Sequence, residues 1–277
     1  MKTLCKGIWV GATMTVPGVS GGTMAMIMGV YSRLMDSVNN ILKKPWESIK
    51  FLLQFGIGGI VGVVLFARFI TTLLEDAVWG IPLQFFFVGA VAGGVPLIFH
   101  EAGIKKFSYK LILYPVIGIL LVSLLSLLPD GIFSGSEGIS GILLQFVGGI
   151  VIAVALVLPG ISASQMLCTL GIYETVMLNI SNFHILSLLP LAIGIFVGIF
   201  LSTGVIGKLL ERFPLETYLI ILGFVAGSVW ELLPKGTIGN PILCVIGVVI
   251  GACLLYLMSR MEIKGKIKNE SFTQLSS

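Results

Sequence analysis

Six long apolar segments constrain the fold of this chain most strongly. Each is long enough to cross a hydrocarbon layer of ~30 Å, which takes about 20 apolar residues in a helix. Hydrophobic residues make up 56 % of the 277 residues and charged residues 11 %, whereas a soluble domain carries roughly 25 % charged residues. We therefore predict an all-α polytopic membrane protein, which excludes a soluble enzyme, a nucleic-acid-binding protein and a disordered chain. The predicted spans are 49–74, 81–99, 111–128, 185–206, 215–233 and 241–259.

Two further apolar regions, 7–31 and 141–173, are each interrupted by a Pro-Gly pair. Proline removes a helical N–H group and clashes with the preceding turn, and glycine adds conformational freedom. We predict that each region is a re-entrant hairpin, which enters the membrane and returns to the side from which it came. The alternative is that each region forms one kinked span.

The distribution of lysine and arginine favours two hairpins over two kinked spans. With two hairpins, 15 of the 17 basic residues fall on one side of the membrane, which the positive-inside rule identifies as the cytoplasm. Both termini are then cytoplasmic. If the first region were a single span, the four basic residues between 33 and 50 would move outside. Lys235 lies outside in the preferred arrangement, and Arg68 lies within a span.

The chain also contains an internal duplication. Residues 17–31 read PGVSGGTMAMIMGVY and residues 159–173 read PGISASQMLCTLGIY, with six identical residues at a constant separation of 142. A GxxxG pair follows each motif, at 58–62 and at 194–198. The shared order of these motifs indicates that the two halves have the same architecture.

Each half contains one hairpin and three transmembrane helices, which is an odd number of crossings. The halves must then have opposite orientations, so we predict an inverted repeat, the architecture of many secondary transporters. Both repeats belong to one integrated membrane domain. The first repeat is assigned to 1–130, the second to 137–260, and a cytoplasmic tail to 261–277.

The two Pro-Gly turns form the candidate substrate site. A helix that begins inside the membrane points its free N–H groups and the positive end of its dipole at the preceding turn, and this geometry binds phosphate or carboxylate. Glycines let the backbone approach a ligand, and Ser20, Thr23, Ser162 or Ser164 is expected to cap the following helix. The alternative is that both turns are kinks held by packing. The candidate residues are Pro17, Gly18, Ser20, Gly21, Gly22, Thr23, Pro159, Gly160, Ser162, Ser164 and Gln165.

Four further side chains are candidates for function. Arg68 lies inside a predicted span, where a charge marks a functional site by default, unless it reaches the outer headgroups. Glu174 is a candidate carrier of a coupling proton or sodium ion, or else a solvated residue at a hairpin end. Tyr31 and Tyr173 are expected to anchor the hairpins at membrane interfaces. We expect no metal and no cofactor, because the cysteines and histidines have no metal-ligand spacing.

At the paired PGVSGGT and PGISASQ turns, each followed by G-[VI]-Y, the sequence resembles the bacterial polyprenyl-phosphate transporters of the PopT type. The resemblance covers essentially the whole chain. It implies a flippase that returns undecaprenyl phosphate, the lipid carrier of cell-wall precursors, from the outer to the inner leaflet of the cytoplasmic membrane. Ala163 and Gln165 depart from the family pattern. The residues that match it are Pro17, Gly18, Ser20, Gly21, Gly22 and Thr23 in the first motif and Pro159, Gly160, Ser162, Tyr173 and Glu174 in the second.

Two other functions stay open on the sequence. Integral membrane undecaprenyl-diphosphate phosphatases resemble this chain in a PGxS turn and an inverted repeat, but their turn continues with Arg-Ser and is joined by a glutamate-rich motif. Here Gly21 and Gly22 follow the serine, and no carboxylate pair at four-residue spacing lies within the membrane. Hydrolysis needs a nucleophile or base and a stabilising cation, so we expect no enzyme. A secondary transporter of a small anion would have the same architecture.

Replacing Pro17 and Gly18 together with alanine is expected to abolish transport without loss of membrane insertion. The substitution allows a continuous helix where the turn is needed. Lipid exchange in liposomes measures transport, and membrane fractionation measures insertion. Normal transport by a well-inserted double variant would contradict the hairpin site.

Overall fold

The chain folds into a bundle of α-helices. The computed structural model describes residues 3–15, 19–104, 108–128, 131, 138–182, 184–234 and 240–275, and this part of the chain contains no β-strand. Its helices are α1 (Thr3–Thr13), α2 (Gly21–Ile27), α3 (Tyr31–Asn39), α4 (Pro45–Glu75), α5 (Gly80–Glu101), α6 (Lys110–Ser126), α7 (Gly138–Val157), α8 (Ala163–Leu170), α9 (Tyr173–Ser181), a 3-10 helix (Ile185–Leu188), α10 (Leu189–Arg212), α11 (Pro214–Leu232) and α12 (Pro241–Leu275).

Local signals explain where several of these helices begin and end. Prolines occupy the first turn of α4, α10 and α11, where a missing N–H group costs nothing. Between α4 and α5, the Asp76 carboxylate accepts hydrogen bonds from the N–H groups of Val78 and Trp79 at 2.8 and 2.9 Å. The bonds from Trp79 and Val78 hold the pKa of Asp76 below its usual value. This turn reverses the chain within four residues.

Each of the six predicted spans corresponds to one helix, namely α4, α5, α6, α10, α11 and α12. Within the described residues, five helical segments are long and apolar enough to cross a membrane, and four of them belong to α4, α5, α10 and α12. The fifth lies in α7, the first arm of the second broken region. At 1.5 Å per residue α7 is about 30 Å long, whereas α1, its counterpart in the first region, is about 17 Å long. These helices are those of a polytopic membrane protein.

The last helix extends into the region assigned to the C-terminal tail. Helix α12 continues to Leu275, because the residues after the span include strong helix formers such as methionine, glutamate, lysine and glutamine. Glu262, inside the predicted tail, forms an ion pair with the buried Lys6 at 2.7 Å. The start of α1 and the C-terminal part of α12 therefore lie at the same end of the bundle.

Helices α1 and α4 are in direct backbone contact through glycine. A Cβ atom at Gly58 would collide with the carbonyl oxygen of Leu4, and one at Gly62 would collide with that of Ile8. Small residues allow such approach between membrane helices. Residue numbers rise together along both helices, so α1 and α4 run parallel.

The same contacts recur between α7 and α10. A Cβ atom at Gly194 would collide with the carbonyl oxygen of Phe146, and one at Gly198 would lie 2.8 Å from the Cα atom of Ile150. These residues are displaced from their counterparts by 142 positions in α7 and by 136 in α10. Helices α7 and α10 are therefore also parallel, and the duplicated sequence makes duplicated contacts.

Two further pairs of helices are parallel and in close backbone contact. Gly89 of α5 meets the backbone of Val248 in α12, and Gly251 meets that of Phe86. In the second pair, Gly118 of α6 meets the backbone of Ile220 in α11. Each of these pairs joins a helix of the first repeat to a helix of the second.

The parallel pairs determine the path of the chain between their helices. Because α1 and α4 run in the same direction, the intervening segment must return the chain to the end of the bundle where α1 begins. The same holds for the segment between α7 and α10.

Replacing Gly194 with alanine is expected to destabilise the bundle by about 1–3 kcal/mol, because the new methyl group overpacks the contact with Phe146. Gly204 lies on the same helix and has open space around its Cα atom, so Gly204→Ala serves as the control. It should be neutral or gain about 0.5–1 kcal/mol from helix propensity. Thermal unfolding in detergent measures both variants, and equal melting temperatures would contradict close packing at Gly194.

Candidate functional site

The first turn leads into the short helix α2, which lies in the core. Ser20 precedes α2 with extended backbone angles, and its side chain makes no capping hydrogen bond. Met24 and Ile27 of α2 are almost completely buried. The expectation that Ser20 caps this helix is therefore wrong, because the side chain does not bond to the helix start. Pro17 and Gly18 lie outside the described residues.

Both short helices end in the same backbone structure. After α2, the N–H groups of Gly29 and Val30 bond back to the carbonyls of Met26 and Ala25 at 2.9 Å, with φ of +65° at Gly29. This is a Schellman cap, which favours glycine at the left-handed position. After α8, Gly171 (φ +74°) and Ile172 bond to Cys168 and Leu167, at 2.8 and 3.1 Å, in the same way. All of these positions are related by the 142-residue repeat.

The two turns touch each other in the core. The Gly160 N–H group donates a hydrogen bond to Thr23 Oγ1 at 2.8 Å, and both residues are buried. A Cβ atom at Gly22 would lie 3.1 Å from the Cα atom of Pro159. Thr23 thus bonds across to the second turn rather than capping its own helix, and Gly22 permits the close approach. The structure brings the two motifs together although they are separated by more than a hundred residues.

Gly160 is held in a conformation that requires glycine. Its φ angle is +84°, in the left-handed region that other residues rarely adopt. A Cβ atom there would collide with the backbone carbonyl group of Phe224 in α11. The second turn is therefore enclosed by Thr23 on one side and by α11 on another.

Tyr31 reinforces the contact between the two halves. Its hydroxyl donates a hydrogen bond to the Val157 carbonyl at 3.0 Å, and the residue is only 3 % exposed. Tyr31 is thus enclosed by protein, because the carbonyl freed at the end of α7 gives the phenol a partner inside the bundle. Its role as a hairpin anchor at a membrane interface stays a prediction. Tyr173, its counterpart, is 37 % exposed at the start of α9.

Helix α3 carries two further links to the second half. Ser32 and Tyr218 of α11 share a hydrogen bond of 3.0 Å, and the Asn39 side chain donates to the Thr203 carbonyl of α10 at 3.0 Å. Sequence reasoning missed Val157, Tyr218 and Asn39. The acceptors for Tyr31 and Asn39 are the backbone carbonyls of Val157 and Thr203, and no sequence motif marks a backbone carbonyl as an acceptor.

The remaining candidate residues lie on α4, on α9 and at the start of α8. Arg68 is exposed on α4, and within the described part of the chain no hydrogen bond or ion pair joins it to either turn. Glu174 is exposed in the first turn of α9. Ser162 precedes α8, and its carbonyl accepts a hydrogen bond from the Met166 N–H group at 3.1 Å. Ser164 and Gln165 lie in the first turn of α8, and their side chains are outside the described part of the structure.

The described residues contain no candidate metal site. Nowhere among them do three or more histidine, cysteine, aspartate or glutamate side chains lie close enough together to hold an ion. The chemistry available at the turns is therefore that of backbone N–H groups, hydroxyls and helix starts. Such groups bind anions by hydrogen bonding.

The fold and the paired turns define a polytopic membrane protein with two broken helices in contact at its core. Residues 10–245 match the family described as undecaprenyl phosphate translocase-like. This match covers most of the chain, so the protein belongs to that family. The family resemblance predicted from the two turns is confirmed.

Two relatives are similar to this chain over most of their length. A polyprenyl-phosphate transporter of Staphylococcus aureus is 32 % identical over 243 residues, which cover 83 % of this chain and 85 % of the relative. A polyprenyl-phosphate transporter of Vibrio cholerae is 30 % identical over 250 residues, which cover 84 % and 78 %. No solved structure is significantly similar to this chain.

Replacing Thr23 with valine is expected to destabilise the protein by about 1–3 kcal/mol, because the buried Gly160 N–H group loses its acceptor. Thr23→Ser keeps the acceptor and should retain most of the stability. Thr13→Val is the matched control, since the Thr13 hydroxyl donates to a Val10 carbonyl that also accepts the Met14 N–H group. Thermal unfolding in detergent compares the three variants. Equal losses at Thr23 and Thr13 would contradict a specific contact between the turns.

Proposed function

We propose that this protein is a flippase that returns undecaprenyl phosphate from the outer to the inner leaflet of the bacterial cytoplasmic membrane, for reuse in cell-wall synthesis. Two relatives named polyprenyl-phosphate transporter support the class of substrate. The observation that carries the proposal is the hydrogen bond between Gly160 and Thr23. It joins two broken-helix turns in the core, so that one phosphate group can be bound by both.

The start of each short helix supports binding of the phosphate head. Because the Ser20 side chain does not cap α2, it leaves the first N–H groups of this helix to a ligand. In the second copy, α8 begins directly after Ser162. The proposed binding residues are those of both turns, including Pro17 and Gly18. Ser164 and Gln165 are included because they lie in the first turn of α8.

The parallel helix pairs support two hairpins that enter the membrane from opposite faces. In this proposal each hairpin returns the chain to the end of the bundle where it started, which agrees with the parallel pairing of α1 with α4 and of α7 with α10. An inverted repeat of this kind lets a central site face either side in turn. The ion pair of Lys6 with Glu262 supports termini on one side, which the basic residues identify as cytoplasmic.

The exposed side chains of Arg68 and Glu174 are assigned to substrate entry and ion coupling rather than to binding of the phosphate at the turns. Arg68 lies on the surface of α4, so we assign it to charge compensation while the phosphate enters from the outer leaflet. Glu174 begins α9 and is exposed, which suits exchange of a proton or sodium ion with water. The prenyl tail needs no polar site and can reach lipid through a lateral opening.

Reconstitution in liposomes tests the proposed function directly. The purified protein is reconstituted with a fluorescent polyprenyl phosphate, and an impermeant phosphatase reports how much phosphate faces outward over time. We expect protein-dependent exchange between leaflets, and no phosphate release in samples without the phosphatase. Release in those samples would instead identify an enzyme. Neither activity from a folded protein, across proton and sodium gradients, would contradict the proposal and direct attention to small anions.

The same assay tests the role of the turn contact. Gly22→Ala should reduce exchange by about tenfold or more, since the new methyl group lies against the Pro159 backbone and separates the turns. Gly204→Ala has open space and should exchange lipid at the rate of the unmodified protein. Equal rates for both variants would show that the close approach of the turns is not needed.

A further inference from the structure

An elongated groove of about 710 Å³ lies beside the second turn. It is lined by α7, α10 and α11, together with Tyr114 of α6. Along α10 the lining extends from Gly198 to Leu209, which corresponds to roughly 17 Å at 1.5 Å per residue. Its volume lies in the range of about 300–1,000 Å³ that is typical of ligand sites.

The groove is lined mostly by apolar side chains, and the serine, threonine and glutamate side chains in its lining are already paired within the protein. The hydroxyls of Ser202 and Thr217 donate hydrogen bonds to carbonyls near them in the chain, those of Gly198 and Phe213. The Glu216 carboxylate is paired with Lys110 at 2.6 Å. The groove therefore suits a long molecule with no hydrogen-bonding groups along its length.

The groove reaches the candidate phosphate site. Leu158, which directly precedes Pro159, and Phe224 both line the groove. The backbone of Phe224 is also the group against which Gly160 packs. An apolar chain in the groove would thus have its head end at the second turn.

The groove also opens to the surface of the bundle. Leu201 and Val205 are 58 % and 59 % exposed, and both line the groove. Apolar side chains exposed on a membrane helix face lipid. A chain longer than the groove can therefore leave it between these residues and continue in the bilayer.

We infer that this groove binds the part of the prenyl chain nearest to the phosphate, while the rest of the chain lies in lipid. The inference rests on the proposed function and adds a tail site to the phosphate site. The protein then recognises its substrate by two connected features: an anion at the turns and an unsubstituted apolar chain leading from it. The chain is guided along α10 rather than being left free in the bilayer.

Photo-crosslinking tests the occupant of the groove without depending on transport. A polyprenyl phosphate with a diazirine on its first isoprene units is bound to the purified protein, irradiated, and mapped by mass spectrometry. We expect crosslinks at groove residues such as Leu201, Val205 and Ile220, and we expect an excess of unlabelled polyprenyl phosphate to remove them. A phospholipid with a diazirine on its acyl chain serves as the control and should label exposed helix faces broadly.

Two results of this experiment would overturn the inference. One is a pattern of polyprenyl crosslinks spread over the exposed faces like that of the phospholipid. The other is labelling in the groove that is removed equally well by phospholipid, which would identify an ordinary acyl-chain site. Both results leave the liposome assay of leaflet exchange unaffected, so failure of the tail site is distinguishable from failure of the proposed function.

Filling the groove gives a second, functional test. Val205→Trp should reduce leaflet exchange of polyprenyl phosphate by about tenfold, because the indole occupies space needed by the chain. Ile193→Trp lies on the same helix at a position that is 47 % exposed and outside the groove lining, and it should exchange lipid normally. Equal rates in well-folded Val205→Trp and Ile193→Trp proteins would exclude a tail in the groove.

Discussion

The hydrogen bond from the Gly160 N–H group to Thr23 joins the two halves of the molecule in its core. Backbone groups freed where a helix breaks must find partners inside the protein, because lipid offers none. Here the region around each break supplies hydrogen-bond partners to the other. Thr23, after the first break, accepts a hydrogen bond from the Gly160 N–H group of the second turn. Tyr31 donates a hydrogen bond to the Val157 carbonyl, which lies just before the second turn. Broken helices are stable at this depth because they meet, and the meeting point is also where backbone groups can face a ligand.

The glycine contacts make this meeting possible. Between α1 and α4, and again between α7 and α10, glycine lets carbonyl oxygens of one helix approach the Cα atoms of the next. Such contacts fix how far α1 and α7 extend along the long helices beside them. A shift by one helical turn would keep glycine at only one of the two contacts in each pair and would bring a larger side chain to the other.

Most of the long helices could be predicted from the sequence. Hydropathy is read from neighbouring residues, and the length of each apolar segment gives the length of the helix that it forms. The turns and their duplication could be predicted because proline and glycine act on the backbone where they stand. The partners of those turns could not. Nothing local indicates that Thr23 bonds to Gly160 instead of its own helix, or that Tyr31 is buried. The charged end of α12 resembles a solvated tail in sequence, and only its contact with the distant Lys6 explains its position.

The pattern of close contacts also limits the movements available for the alternating access that we propose. The pairs α5 with α12 and α6 with α11 each join one repeat to the other through backbone contacts at glycine. One repeat therefore cannot rotate as a rigid body against the other without separating two tightly packed interfaces. The first hairpin region is joined to these pairs partly by neutral hydrogen bonds such as that between Ser32 and Tyr218 of α11, each worth about 0.5–1.5 kcal/mol. In the transport mechanism proposed above, the two hairpin regions would have to separate at the contact between Thr23 and Gly160 for a phosphate group to pass between the turns.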